Sequence, residues 1–179
     1  MNSAASFAFQ PTLVGQSISL RPLLEADFEG LYEVASDPLV WEQHPEPDRC
    51  ERAVFERFFA KALESGGASA AVLNSSGRLV GSSRFYEWDP AGRSVAIGYT
   101  FLARDLWGGS CNREMKRLML RHAFHWVDTV WFHVGAHNLR SRRAMEKIGA
   151  VLDHEGMKEL GGIPTEYVFY RIDVQAFPD

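Results

Sequence analysis

Trp107-Gly108-Gly109-Ser110-Cys111-Asn112-Arg113-Glu114 is the stretch on which the fold turns. It follows a run that reads as a strand, Ser94–Leu102, and leads into the most periodic segment of the chain, Asn112–Val127. There Met115, Leu118, Met119, Ala123 and Trp126 recur along one helical stripe. Two glycines ahead of a helix let backbone N–H groups converge on an anion, and the helix N-terminus adds positive potential. A plain strand-to-helix turn has the same appearance, so the segment alone leaves both readings open. Two nucleotide signatures are excluded: no Gly-Lys-Ser/Thr follows, and the loop is not Gly-x-Gly-x-x-Gly.

Upstream, alternation in Ser94–Leu102 predicts Val95, Ile97, Tyr99 and Phe101 on one face, with Ala96, Gly98, Thr100 and Leu102 on the other. Gly98 marks either a bulge or a place where a ligand nears the backbone. Earlier still, Ser17–Leu20 reads as a strand stopped by Arg21-Pro22, and Glu25–Ser36 as a helix capped by Asp27 and ended by Asp37-Pro38. Trp41–Asp48 reads as an irregular loop, and Arg52–Glu64 as a helix closed by Ser65-Gly66-Gly67. Ser69–Leu73 and Leu79–Tyr86 read as strands about the turn Asn74-Ser75-Ser76-Gly77.

Downstream come a short strand, Val130–Val134, and a helix capped by Asn138 that runs to Ile148 with Gly149 just past its end. A hairpin of Val151–Lys158 and Glu166–Val174 about Gly161-Gly162 closes the chain. The order predicts an α/β fold: a mixed, mostly antiparallel central sheet with helices on both faces.

The 179 residues are enough for one domain with a sizeable core. Met1–Thr12 reads as a flexible N-terminal arm, pinned by Phe7 and Phe9, and residues 13–179 as the single domain. A net charge of −4 argues against a nucleic-acid binder. Cys50 and Cys111 have no metal-ligand spacing and form no disulfide framework, so no metal and a cytoplasmic location are expected. No apolar run is long enough to span a bilayer, and no signal peptide is evident.

Taken together, the motifs resemble the GNAT superfamily of N-acetyltransferases, in the branch that includes ribosomal-protein alanine N-acetyltransferases. The residues that carry the resemblance are Leu20-Arg21-Pro22-Leu23, Ser36-Asp37-Pro38, Ile97–Leu102, Trp107–Phe124 and Asn138-x-x-Ser141-x-Arg143-x-x-Glu146-Lys147-x-Gly149. The resemblance implies the acyl-CoA N-acyltransferase fold, with the sheet splayed between Ile97–Leu102 and Val130–Val134 at the cofactor site. It implies acetyl-CoA as cosubstrate, its arm pairing with backbone near Phe101 and Leu102. Amides of Gly108, Gly109, Ser110, Cys111 and Asn112 would face the pyrophosphate. Asn138 would bond the pantetheine arm, and Ser141 would lie near the sulfur. A homodimer is also implied, and the aromatic segment Tyr167–Tyr170 either lies within the sheet or pairs across it.

The loop departs from the family pattern Arg/Gln-x-x-Gly-x-Gly/Ala: Trp107, Ser110 and Asn112 stand where Arg/Gln, Gly and Gly/Ala are usual. Arg113, Arg140 and Arg143 are candidates to replace the lost phosphate donor. Transfer needs a neutral amine, a polarised carbonyl and a protonated leaving thiolate. The N–H groups of Phe101 and Leu102 are the expected oxyanion donors, and Ser141 the donor to the leaving sulfur. Ala96 replaces the glutamate common in the family, so the base falls among Glu87, His133, His137, His44 and Glu42, or to a water chain. A covalent route through Cys111 lacks a spaced His or Asp partner. The acceptor is an amine-bearing small molecule or a protein N-terminus, and Glu42, Glu46 and Glu87 favour a cationic one. The competing reading is a non-catalytic acyl-CoA-binding module.

Overall fold

The computed structural model describes residues 6–177. One sheet runs in the order β1-β2-β3-β4-β5-β6-β8-β7. Its strands are β1 (Leu13–Val14), β2 (Ile18–Pro22), β3 (Ala68–Leu73), β4 (Leu79–Asp89), β5 (Ser94–Leu102), β6 (Thr129–Gly135), β7 (Val151–Leu160) and β8 (Ile163–Asp173). All neighbours are antiparallel except β5 and β6. The helices are α1 (Phe28–Ala35), α2 (Pro38–Trp41), α3 (Arg52–Glu64), α4 (Cys111–Ala123) and α5 (Leu139–Lys147). This is the mixed, mostly antiparallel α/β architecture that the element order predicts.

The helices take their faces from their apolar stripes. Phe28 of α1 packs on Phe55 and Phe59 of α3, and Phe55 and Phe58 meet Phe101 of β5. On the other face, α4 brings His122 against Phe85 of β4. Its Met115, Met119, Leu120 and Ala123 are fully buried. The helix stops at Ala123, short of the expected Val127, and a turn carries Val127 into the core. Tyr167–Tyr170 lies in β8 between β6 and β7, with Tyr170 buried, so its pairing is within the sheet.

Three local expectations change. Asp27 does not cap α1 forward; its carboxylate accepts the Leu24 N–H at 2.9 Å and both terminal nitrogens of Arg21 at 2.8 and 2.7 Å, fastening this turn to β2. The strands of the last hairpin extend to Leu160 and Ile163, leaving Gly161-Gly162 as a two-residue loop with φ of +58° and +83°. Both values are left-handed, as the tightest hairpin turn requires. Of the N-terminal arm, residues 1–5 lie outside the described residues. Beyond them Phe7 is buried, stacked on Trp88 and edge-on to Phe85, so this part of the arm is core.

The two-sided reading of β5 fails at one residue. Pairing with β4 slips between Ser82 and Arg84, where two residues of β5 oppose Ser83 alone. Tyr99 sits there at φ +52°. This is a β-bulge, and it reverses the alternation beyond it. Ile97, opposite Phe85, shares the α4 face with Thr100, whereas Phe101 faces α3. Gly98 serves that bulge: a Cβ there would lie 2.8 Å from the Tyr86 ring.

Candidate active site

The sheet opens where its two parallel strands part. β5 and β6 pair only from Ser94–Ala96 to Thr129–Trp131. Past Ala96, β5 keeps β4 as its partner, and past Trp131, β6 keeps β8, but the two no longer meet. The V between them holds a cavity of about 890 Å³. It runs from Gly108, Gly109 and Asn112, past Leu102 and Ser141, to Tyr86 and Tyr167.

At the first end the loop presents the start of α4. Gly108 takes φ +76°, a value costly for any side chain, and a Cβ there would meet nothing. Ser110 makes no side-chain cap, so the first-turn amides from Cys111 onward are free to meet an anion. Trp107 has a different job from the Arg or Gln usual at its position. Its indole Nε1–H donates to the Leu102 carbonyl at 2.9 Å, tying the loop to β5. The Arg140 guanidinium lies 4.0 Å over the Trp107 ring and donates to the Leu39 and Val40 carbonyls. Arg140 is therefore a brace between α5 and α2. Arg113 and Arg143 also line the cavity and remain as cations for phosphate.

Edge orientation decides which β5 amides face the V. The Ala103 N–H donates to Val80 of β4 at 2.7 Å. Successive residues of a strand direct their backbone groups to opposite edges, so Phe101 also faces β4 and Leu102 faces the cavity. The Phe101 carbonyl, 2.1 Å from where a Gly81 Cβ would stand, and the Trp107 bond to Leu102 both agree. The cavity-facing amide is that of Leu102. Of the two expected oxyanion donors, Leu102 faces the V and Phe101 does not.

Across the V, Asn138 is buried at the start of α5, and its Oδ1 accepts the Ser141 N–H at 3.1 Å. Its amide nitrogen is left to donate. Ser141 lines the cavity. Cys111 is buried, and burial with Glu114 and Asp105 nearby pushes its thiol pKa up, away from thiolate chemistry. Lys116 went unnoticed in the sequence because it lies among apolar positions of α4. It is buried where it borders the cavity, its ammonium donating to Thr100 Oγ1 at 2.5 Å and Ser83 Oγ at 3.3 Å, 5.8 Å from the Phe132 ring centroid. Burial pushes its pKa down to about 7.

The proposed bases are mostly engaged elsewhere. Glu87 is outside the cavity lining, and its carboxylate accepts from Lys158 at 3.1 Å. Lys158 also meets His133 Nδ1 at 2.8 Å; burial and this ammonium push the imidazole down to about 4. His133 is thus neutral and already hydrogen-bonded. His44 is pushed down to about 3 by burial and Arg49, and accepts the Glu46 N–H at Nδ1, 2.9 Å. His137 and Glu42 are exposed. Glu46 is paired with Arg49, so neither it nor Glu87 is a free anion for a cationic acceptor.

These features fit a coenzyme with a pyrophosphate and an extended amide-bearing arm: uncapped amides at one end, an unpaired strand edge along the middle. Among the described residues no group of acidic, histidine or cysteine side chains could hold a metal ion, and no helix is long and apolar enough to cross a membrane.

The model of the acetyltransferase (GNAT) domain matches residues 17–151. No curated protein matches the sequence. A GCN5-related N-acetyltransferase from Brucella melitensis is similar in structure, with a TM-score of 0.83 at 20% identity over 94% of this chain and 81% of that one. Mycobacterium smegmatis RimJ in complex with CoA-disulfide gives 0.68 at 18% identity, over 90% and 84% of the two chains. Spermidine N-acetyltransferase from Vibrio cholerae, in complex with CoA and spermine, gives 0.68 at 16%, over 89% and 97%. At these identities the likeness is one of fold.

Proposed function

The chain belongs to the GNAT acetyltransferase family, and on that premise we propose that it moves an acetyl group from acetyl-CoA to a primary amine by direct attack. One observation carries the reading: the open edge of β5 and the uncapped start of α4 line a single cavity. The motif order favours the branch that includes ribosomal-protein alanine N-acetyltransferases, acting in the cytoplasm as one domain over residues 13–179 on which Phe7 of the preceding arm packs.

Bound acetyl-CoA supplies the thioester. The first-turn amides of α4, with Arg113 and Arg143, hold phosphate, and the Asn138 amide nitrogen donates to the arm. The Leu102 N–H faces the V and stabilises negative charge developing on the carbonyl oxygen. As the new C–N bond forms the C–S bond breaks, and Ser141 delivers its proton to the sulfur and takes one back from water. The nitrogen loses one proton in return. With Glu87 held by Lys158 and His133 by the same ammonium, that proton leaves through water.

The test is free-thiol release from acetyl-CoA across a broad amine panel, beside thermal melts with acetyl-CoA. Thiol release with an amine and a raised Tm are expected. A raised Tm without thiol release from any amine would establish a binding module instead, and no shift in Tm would end both readings.

A further inference from the structure

Two buried arginines stand at the acceptor end, Arg49 in the cavity lining and Arg84 beside the lining residue Tyr99, and among the described residues only Arg49 has a carboxylate partner. Arg84 on β4 is buried, and its Nε is the one buried side-chain polar atom among the described residues without a hydrogen-bond partner. No carboxylate among the described residues pairs with it; its guanidinium lies 4.2 Å over the ring of Tyr99, the bulge residue that lines the cavity. A guanidinium has five donors and no acceptor, so leaving it unmet in the interior is costly.

Arg49 stands nearby, close enough that its charge bears on Arg84. It is buried against Phe58 at 4.4 Å and Trp41 at 5.4 Å. Its Nη2 is taken by Glu46, but its Nη1 meets His44 Nε2 at 3.3 Å. His44 accepts the Glu46 amide at Nδ1, so a neutral ring carries its proton on Nε2. Two donors therefore face each other there, on two residues that line the cavity. Glu159 is the sole acidic residue in that lining. The catalytic edge is close by, since Trp41 and Phe58 both touch Phe101.

We infer that the acceptor amine carries an anionic oxygen group, a carboxylate or phosphate, received by Arg84, Arg49 and His44 Nε2–H. One oxyanion would satisfy donors that nothing else in the described residues satisfies, and guanidinium forks suit both groups. Polyamines are the wrong class. This inference rests on the acetyl-transfer reading and narrows its substrate.

The experiment is thiol release from acetyl-CoA with matched amines: α- and ω-amino carboxylates, their carboxamides, aminoalkyl phosphates and spermidine. Amines bearing an anion should exceed their neutral counterparts by about tenfold or more in kcat/KM, the scale of charged hydrogen bonds. The faster of carboxylate and phosphate identifies the anion. Arg84→Gln should bring that ratio close to one, and Arg84→Lys should keep part of it. The wild-type ratio is the primary reading, because a buried arginine variant can fail to fold. Turnover that favours the carboxamide or spermidine would overturn this inference and leave acetyl transfer standing. Thiol release from no amine, with acetyl-CoA still raising Tm, would remove the enzyme reading and this one with it.

Discussion

Replacing Lys116 by Met is expected to stabilise the fold and to flatten its pH dependence above neutrality. In the unfolded chain the lysine titrates near 10.5, whereas burial brings it down to about 7 in the fold. Between those values the unfolded chain holds a proton that the folded one lacks, so wild-type stability rises with pH. Below about 7 both states are charged, and the fold carries the whole cost of the buried ammonium. At about 1.4 kcal/mol per tenfold change in proton affinity, that cost is about 5 kcal/mol. Methionine keeps the length and polarisable bulk over Phe132. Ser83 and Thr100 stay bonded to each other at 2.8 Å, so no hydroxyl is orphaned. Urea unfolding of both proteins at pH 6, 8 and 9.5 is the assay. Lys116→Met should be more stable by roughly 2–5 kcal/mol at pH 6, the gap shrinking toward pH 10. A variant that is less stable at pH 6, or a gap that does not change with pH, would refute the reasoning.

Other expectations follow from the site. Ser141→Ala should lower kcat roughly 10–100-fold with little change in acetyl-CoA affinity by calorimetry, since only the leaving sulfur loses a donor; an unchanged kcat removes the role. Glu87→Gln should keep kcat within about threefold, the exposed ion pair with Lys158 being a weak constraint; a loss beyond a hundredfold would restore Glu87 as the base. Gly108→Ala places a side chain at φ +76°, costing about 1–2 kcal/mol. It should weaken acetyl-CoA about tenfold, and equal affinity would mean the loop does not form the phosphate seat.

What was legible in the sequence is what local periodicity controls. Arg52–Glu64, the Asn138 cap and the Gly161-Gly162 turn stand where spacing and turn chemistry put them. The faces of β5 were misread because strict alternation assumes an unbroken ladder, and nothing in the string reveals that Tyr99 and Thr100 share one partner. The direction of the Phe101 N–H was likewise beyond reach, since it depends on which edge of the strand meets β4. Lys116 and Arg84 were passed over for a different reason. Charged residues are expected to be solvated, and only the packed fold shows these two taken out of water.

The bond from Trp107 to the Leu102 carbonyl has a practical corollary. An indole fixed between a strand edge and a stacked guanidinium stands at the lip of the V, where any occupant alters its surroundings. Its emission is therefore an intrinsic, label-free signal of occupancy, fast enough for stopped-flow mixing. Of the chain's five tryptophans, Trp107 alone reports from the loop, so Trp107→Phe isolates its share. The residue that ties the loop to β5 doubles as an optical gauge of the site it frames.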